Sequence, residues 1–498
     1  MAVYRDGQIA YEHGYGFANL EHRVPNTPQT VFDIGSTSKQ FTAFAILLLQ
    51  KQGKLSIDDD VRKYIPELPD YGKTITLRHL LTHTSGLRDY TALFDLAGFA
   101  EQDLTTDKDA LDILARQKGT NFPPGEEWDY SNSGFFLLSQ VVKRVAGESI
   151  RDFSQKNIFT PLGMTHTQIF DYHGFVIPNR ATGYSYNGER KEFVVEMSNF
   201  EQAGDGSVQT SVEDLLRWDG NFFTGKLGGK EIVESMRTPG KLNNGEEHGY
   251  GFGLFMSKYR GAPVVSHGGA WAGYRAELMR FPQQHTSIAV LCNQAESRPT
   301  RLAHQVADIV LANVLEPEAA VESKTPKLSS EVLQGRAGVY RSATGEYRRL
   351  DFKDGKLLLA LAGGLELVPE SDTSFNFAGR NNISFSPDGN MKLTFEAIGK
   401  PIEYSRVKVE QPRDLSHFVG EYYSPELNAT WTVALAGGQL TVANKRGLTP
   451  PEALIPVSDD TFITDSIRVK FVDEPAHAMK ALVSADRIRN LEFTAVKH

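Results

Sequence analysis

The sequence predicts a mixed α/β (α+β) protein: an antiparallel sheet flanked by helices, with a helical subdomain, followed by barrel-like all-β modules. Three observations carry this. First, three short apolar runs, Pro263 to His267, Tyr274 to Phe281 and Ser287 to Cys292, are joined by turn-rich links, the pattern of an antiparallel meander. Second, Phe44-Ala45-Ile46-Leu47-Leu48-Leu49 is apolar all round, so a helix there must be buried rather than lie on a surface. Third, past a polar, Pro-containing stretch at 316–330 the composition changes to short alternating strands and turns.

Taken in chain order, Val3-Tyr4-Arg5, Asp6-Gly7 and Gln8 to Tyr15 read as a hairpin closed by an Asp-Gly turn. Gly35 to Gln52 reads as a helix stopped by Gly53. From about 55 to 235 the chain is mostly helices and loops, with Leu137 to Ala146 a helix before Gly147. A last helix, Arg301 to Leu315, has Leu302, Val306, Ile309 and Val310 on one face, suited to covering the sheet. The expected division is a first domain at 1–315, a linker at 316–330, and β modules at 331–410 and 411–498.

The two modules repeat one another. Leu333-Gln334-Gly335-Arg336-Ala337-Gly338-Val339-Tyr340 returns as Leu415-Ser416-His417-Phe418-Val419-Gly420-Glu421-Tyr422, and Gly355-Lys356-Leu357 returns as Gly438-Gln439-Leu440. Asp372 to Phe375 and Asp460 to Phe462 follow in the same order. Each copy is long enough for a small antiparallel barrel.

Composition excludes some partners. There are 53 basic and 62 acidic residues, a net −9, which disfavours nucleic acid and anionic membrane surfaces. No apolar stretch reaches the ~20 residues that span a bilayer. No basic-then-apolar leader is visible, which reads as cytoplasmic, or as periplasmic or secreted if the start is truncated. The lone Cys292 can form no internal disulfide and reads as a buried structural thiol.

Three strings carry chemistry: Ser36-Thr37-Ser38-Lys39, Tyr130-Ser131-Asn132 and His267-Gly268-Gly269. Ser-x-x-Lys alone is weak, because Ser405-Arg406-Val407-Lys408 is a second copy. Secondary structure separates the two. On a helix, i and i+3 share a face, so Ser36 and Lys39 can touch, whereas Ser405 and Lys408 fall in an alternating strand. Ser36 would sit at a helix start, where the macrodipole favours developing negative charge. Lys39, desolvated one turn in, would be a base for its hydroxyl. Tyr130 in a loop can relay a proton, and the Asn132 amide can bind a substrate carbonyl. His267 is expected to end its strand, with Gly268 and Gly269 letting a substrate backbone approach. The competing readings are bland: a Ser N-cap with a surface Lys, a turn whose Asn caps a helix, and a strand ending in a Gly turn.

Together the strings resemble the serine β-lactamase and penicillin-binding-protein family, in the branch with class C β-lactamases, D-aminopeptidases, D-Ala-D-Ala carboxypeptidases and lactamase-fold esterases. Leu80-Leu81-Thr82-His83-Thr84-Ser85-Gly86-Leu87, Phe122-Pro123-Pro124-Gly125 and Gly249-Tyr250-Gly251-Phe252-Gly253 also match that branch. The resemblance implies Ser36 as acylated nucleophile, Lys39 as its base and Tyr130 as proton relay. Asn132 would orient the substrate, and the backbone N–H groups of Ser36 and Ala270 would form an oxyanion hole. It implies a serine hydrolase acting on small esters or amides, esterase- or D-aminopeptidase-like, with weak turnover of β-lactams. The alternatives are a D-Ala-D-Ala carboxypeptidase or β-lactamase, or a non-catalytic penicillin-binding scaffold. No metal or other cofactor is expected; the expected partners are a small-molecule or peptide substrate and further copies of the chain.

Two departures stand out. Most β-lactamases have a lysine where this chain has His267, and a mostly neutral histidine attracts a substrate carboxylate weakly; Arg275 on the next strand is expected to restore part of that site. Family members also usually have a helix and strand before the position of Met1. His79 and His83 are spaced like zinc ligands but lack the Glu between them and a third partner. There is no Gly-x-Ser-x-Gly, and Glu231 stands where a phosphate loop beginning at Gly225 would need Ser or Thr.

Overall fold

Asp6 and Gly7 both have positive φ, 50° and 75°, the two-residue turn geometry that matches strand twist. They join β1 (Ala2–Arg5) to β2 (Gln8–Glu12). The computed structural model describes residues 1–498 except 101, 318–325, 327, 361–363, 378–380, 395–400, 410–413, 447–449, 474–477 and 497–498. It divides into two units, Met1–Tyr90 with Glu101–Glu318, and Thr91–Ala100 with Ala319–His498. Thr91–Ala100 thus groups with the C-terminal unit, a departure from the contiguous division read from sequence. Most of the expected linker at 316–330 lies outside the described residues.

In the first unit, β4 (Ala262–Trp271), β5 (Tyr274–Phe281) and β6 (Thr286–Cys292) form the expected meander, and a further strand that the sequence did not mark, β3 (Phe255–Tyr259), precedes them. With the N-terminal hairpin they make a six-stranded antiparallel sheet in the order β3-β4-β5-β6-β1-β2. One expectation fails here. β4 does not end at His267 but runs on to Trp271, with Gly268 paired to Glu277 and Gly269 to Ala276.

Helix α1 (Lys39–Lys51) follows a 3₁₀ turn at Gly35–Ser38, and its residues from Lys39 to Leu49 are all buried, as the all-round apolar run requires. Phe41 and Phe44 pack on Trp218 of the helix Val212–Thr224, with ring centroids 4.4 and 5.2 Å away. The helix Pro299–Val310 covers the opposite sheet face with only half of the expected stripe. Leu302 and Ile309 are 42% and 78% exposed, while Ala303, Ala307 and Leu311 are buried against Val264, Met279 and Ile288, with Val306 and Val310 partly buried beside them. The small alanines let the helix lie close to the sheet, which a search for large apolar residues overlooks.

The second unit holds two all-β sheets. One has nine strands, from Gly338–Ser342 to Pro401–Val407, whose first strand pairs with both its second and its last. It is left open between Leu365–Glu366 and Val368–Pro369. The other is a closed eight-stranded barrel from Gly420–Ser424 to Ile488–Ala495. Matching residues of the repeat do matching things. Tyr340 Oη donates to Arg336 O at 2.8 Å and Tyr422 Oη to Phe418 O at 2.9 Å. Asp354-Gly355 (φ 51° and 76°) and Gly437-Gly438 (59° and 81°) close equivalent turns. Ser405 lies in the strand Pro401–Val407 and Lys408 just beyond it, so the second Ser-x-x-Lys is the strand expected.

Candidate active site

The turn that carries Ser36 is held from three sides. Gly35 N donates to Asp33 Oδ1 at 2.7 Å, Thr37 Oγ1 donates to His267 O at 3.0 Å, and Val208 N donates to Ser38 Oγ at 3.0 Å. Gly35 has φ +47°, and a side chain there would strike Ala270 N at 2.7 Å. The backbone N of Ala270 therefore lies beside the turn that begins at Gly35. A Cβ on Gly269 would come within 1.8 Å of Ile34 O. This glycine lets two segments of the protein meet; the room is filled by the chain itself, not left for a substrate backbone. Gly268 faces the other way, its Cβ position 3.2 Å from Glu277 Oε2.

Lys39 is fully buried. Its Nζ lies 3.0 Å from Ser36 Oγ, donates to Asn132 Oδ1 at 2.9 Å and to Asp205 O at 2.7 Å, and stands 4.8 Å from the Tyr130 ring centroid. Two of those neighbours can only accept, while the third is a hydroxyl that can also donate. The amine is thus fixed with its remaining direction toward Ser36. Asn132 opens the helix α2 (Asn132–Ala146), and its backbone N donates to Asp89 Oδ2 at 2.6 Å, so a carboxylate from another segment serves the helix start.

His267 Nδ1 is 2.6 Å from Gly268 O, and its Nε2 is 3.1 Å from Tyr250 Oη. A carbonyl only accepts, so Nδ1 carries the proton and Nε2 accepts from the tyrosine. Burial first, and then the charge of Lys39, push the imidazole down to about 3. His267 is neutral. Arg275 departs from expectation: it pairs with Ala270, two residues from the Gly268–Glu277 pair, so strand alternation sets it on the face away from His267 and Gly269. Its guanidinium donates to Ala272 O and Tyr274 O, at 2.7 and 2.6 Å.

The remaining strings meet around the same point. His83, at φ +57°, packs tilted against Tyr130 with ring centroids 4.2 Å apart, and its Nδ1 accepts from Ser131 N at 3.2 Å. Asn121 N donates to Gly86 O and Gly125 N to Thr84 O, both at 2.7 Å, tying the 80–87 string to the Pro-Pro-Gly loop. Gly253 packs on α1, with its Cβ position 2.8 Å from Gln40 Cα. Sequence reasoning missed Asp89, Tyr90 and Asp205. Tyr90 Oη donates to Asp205 Oδ2 at 3.1 Å, and the only local mark of Asp205 is its place between Gly204 and Gly206.

Residues 1–312 match the family model described as Beta-lactamase. The chain belongs to the β-lactamase family. Penicillin-binding protein 4* of Bacillus subtilis (strain 168) is 32% identical to this β-lactamase-family protein over 389 residues, covering 74% of this chain and 85% of its own. A D-aminopeptidase of Cereibacter sphaeroides is 27% identical over 478 residues, 95% of this chain and 88% of its own. The octameric penicillin-binding protein homologue from Pyrococcus abyssi superposes with a TM-score of 0.59 at 26% identity, over 81% of this chain and 95% of that one. The family is one of serine hydrolases, and these relatives are its penicillin-binding proteins and D-aminopeptidases. Among the described residues no helix is long and apolar enough to cross a membrane.

Proposed function

We propose that the chain hydrolyses small esters and D-aminoacyl amides through an acyl-enzyme on Ser36. The observation that carries this reading is the Lys39 amine, pinned by Asn132 Oδ1 and Asp205 O and 3.0 Å from Ser36 Oγ. Ser36 Oγ attacks the substrate carbonyl carbon while its proton passes to Lys39 Nζ. The oxyanion so formed accepts from the backbone N–H groups of Ser36 and Ala270. Collapse breaks the bond to the leaving alcohol or amine, which takes a proton relayed through Tyr130. Water then adds to the acyl carbon by the same path reversed, releasing the acid and restoring the hydroxyl. Asn132 and His267 line the substrate's place.

A neutral His267 gives no cation for a substrate carboxylate, and Arg275 faces elsewhere. Both favour substrates without a nearby carboxylate over β-lactams. The similarity to D-aminopeptidases over nearly the whole chain supports the amide half of the reading. The test is a hydrolysis panel of short p-nitrophenyl esters, D-Ala-p-nitroanilide, a D-Ala-D-Ala peptide and a chromogenic cephalosporin. Short acyl esters should react best, D-aminoacyl amides next and the cephalosporin slowly; a cephalosporin turned over as fast as the esters would contradict the reading.

Self-association belongs to the same reading, supported by the similarity to an octameric homologue. Light scattering that returns the 55.3 kDa of one chain would remove it.

A further inference from the structure

Resting on the serine-hydrolase reading above, we propose that Asp205 is a positioning residue for acylation. Its backbone carbonyl holds the Lys39 amine, and its buried carboxylate stabilises the ammonium formed there as Ser36 loses its proton. In that step the Oγ–H bond breaks and an Nζ–H bond forms; no proton passes to Asp205. The logic is that of any nucleophile–base pair steadied by a third, anionic group.

The geometry separates Asp205 from an ordinary structural aspartate. Its residue is 8% exposed, and its Oδ2 accepts from Tyr90 Oη at 3.1 Å. Its Oδ1 is buried with no hydrogen-bond partner among the described residues. A bare oxygen on a carboxylate buried this deeply is costly unless something else compensates it. Here the compensation is charge. The titratable groups facing Asp205 are Lys39 from α1, and Asp89 and Tyr90 from the chain just before Thr91. Asp89 is already committed to the start of α2 through Asn132 N. Asp205 interacts with the charge of Lys39 directly, and its backbone carbonyl accepts from the same amine at 2.7 Å.

Burial pushes the Asp205 carboxyl up to about 6, against the opposing pull of Lys39. The group is therefore charged above that pH and neutral below it, so its help to acylation is present above pH 6 and fades beneath it. Tyr90 donates to the charged form and so holds the value down.

The test is the pH profile of kcat/KM for p-nitrophenyl acetate in the full-length wild type, Asp205→Asn and Tyr90→Phe. Asparagine keeps the size, the backbone carbonyl and one acceptor oxygen for Tyr90 while removing the charge. We expect a wild-type acid limb near pH 6. In Asp205→Asn that limb should vanish while kcat falls roughly 10–100-fold and KM holds within about twofold. In Tyr90→Phe the limb should move to higher pH, a shift that a packing role would not produce. A wild-type profile and kcat in Asp205→Asn, or a limb in Tyr90→Phe that stays put or moves down, overturns the assignment. Should Asp205→Asn fail to fold, Tyr90→Phe alone decides. Mass spectrometry of Ser36 after p-nitrophenyl acetate separates the two readings: no acyl group on wild-type Ser36 defeats the serine-hydrolase reading, whereas an acylated Ser36 with an unmoved profile defeats only the role of Asp205.

Discussion

Tyr250 Oη lies 3.1 Å from His267 Nε2, and with Nδ1 already facing Gly268 O this contact leaves the imidazole a single neutral tautomer. The imidazole beside the turn that carries Ser36 is therefore an uncharged ring. Nitrogen-15 NMR should show His267 protonated on Nδ1 and without titration between pH 5 and 8. A midpoint between 6 and 7 would contradict this.

The same contact has a stability consequence. Tyr250→Phe leaves His267 Nε2 a buried acceptor without a donor, which costs about 1–3 kcal/mol. Urea unfolding should register that loss, and an unchanged midpoint would mean the tyrosine is not the donor.

His267 also makes stability depend on pH. Folded, it binds a proton only near pH 3; unfolded, it does so near the ordinary histidine value of about 6.5. Between those values the unfolded chain holds the extra proton, so this contribution is complete above about pH 6.5 and is lost as pH falls toward 3. Asp205 works in the opposite direction, since its raised value lets the folded state take a proton first. His267→Asn isolates the histidine: its stability should fall less steeply from pH 7 to 4 than that of the wild type. Parallel slopes would contradict the assignment.

The two glycines of His267-Gly268-Gly269 should respond unequally. Gly269→Ala drives a methyl into Ile34 O and pries β4 from the turn that carries Ser36. It should lose about 2 kcal/mol or more of stability and about 10²-fold or more in kcat. Gly268→Ala meets only the end of the Glu277 side chain at 3.2 Å, which can shift. Its activity should stay within about threefold of wild type. Equal effects from the two substitutions would show that the close approach at Gly269 is not what matters.

Local patterns were legible wherever they were complete in themselves. The Asp6-Gly7 hairpin, the buried α1, the strand at Ser405 and the repeated Tyr340 and Tyr422 each follow from neighbours within a few residues. What stayed hidden is long-range. Strand alternation could be read for β4 and β5 singly, but the pairing of Ala270 with Arg275 that turns the arginine away is a matter of register. The covering face of the Pro299–Val310 helix depends on alanines whose value lies in close approach, which hydrophobicity alone does not reveal. Asp205 is 166 residues from Lys39, and nothing local marks its carbonyl as the partner of that amine.

The claim on which the rest depends is that Ser36 Oγ becomes covalently acylated beside the Lys39 amine. Rapid quenching during p-nitrophenyl acetate hydrolysis, followed by peptide mass spectrometry, addresses it directly. The acetyl group should appear on the peptide containing Ser36 and be absent in Ser36→Ala and Lys39→Ala. Turnover with no adduct on Ser36, or an adduct of equal yield in Lys39→Ala, would contradict it.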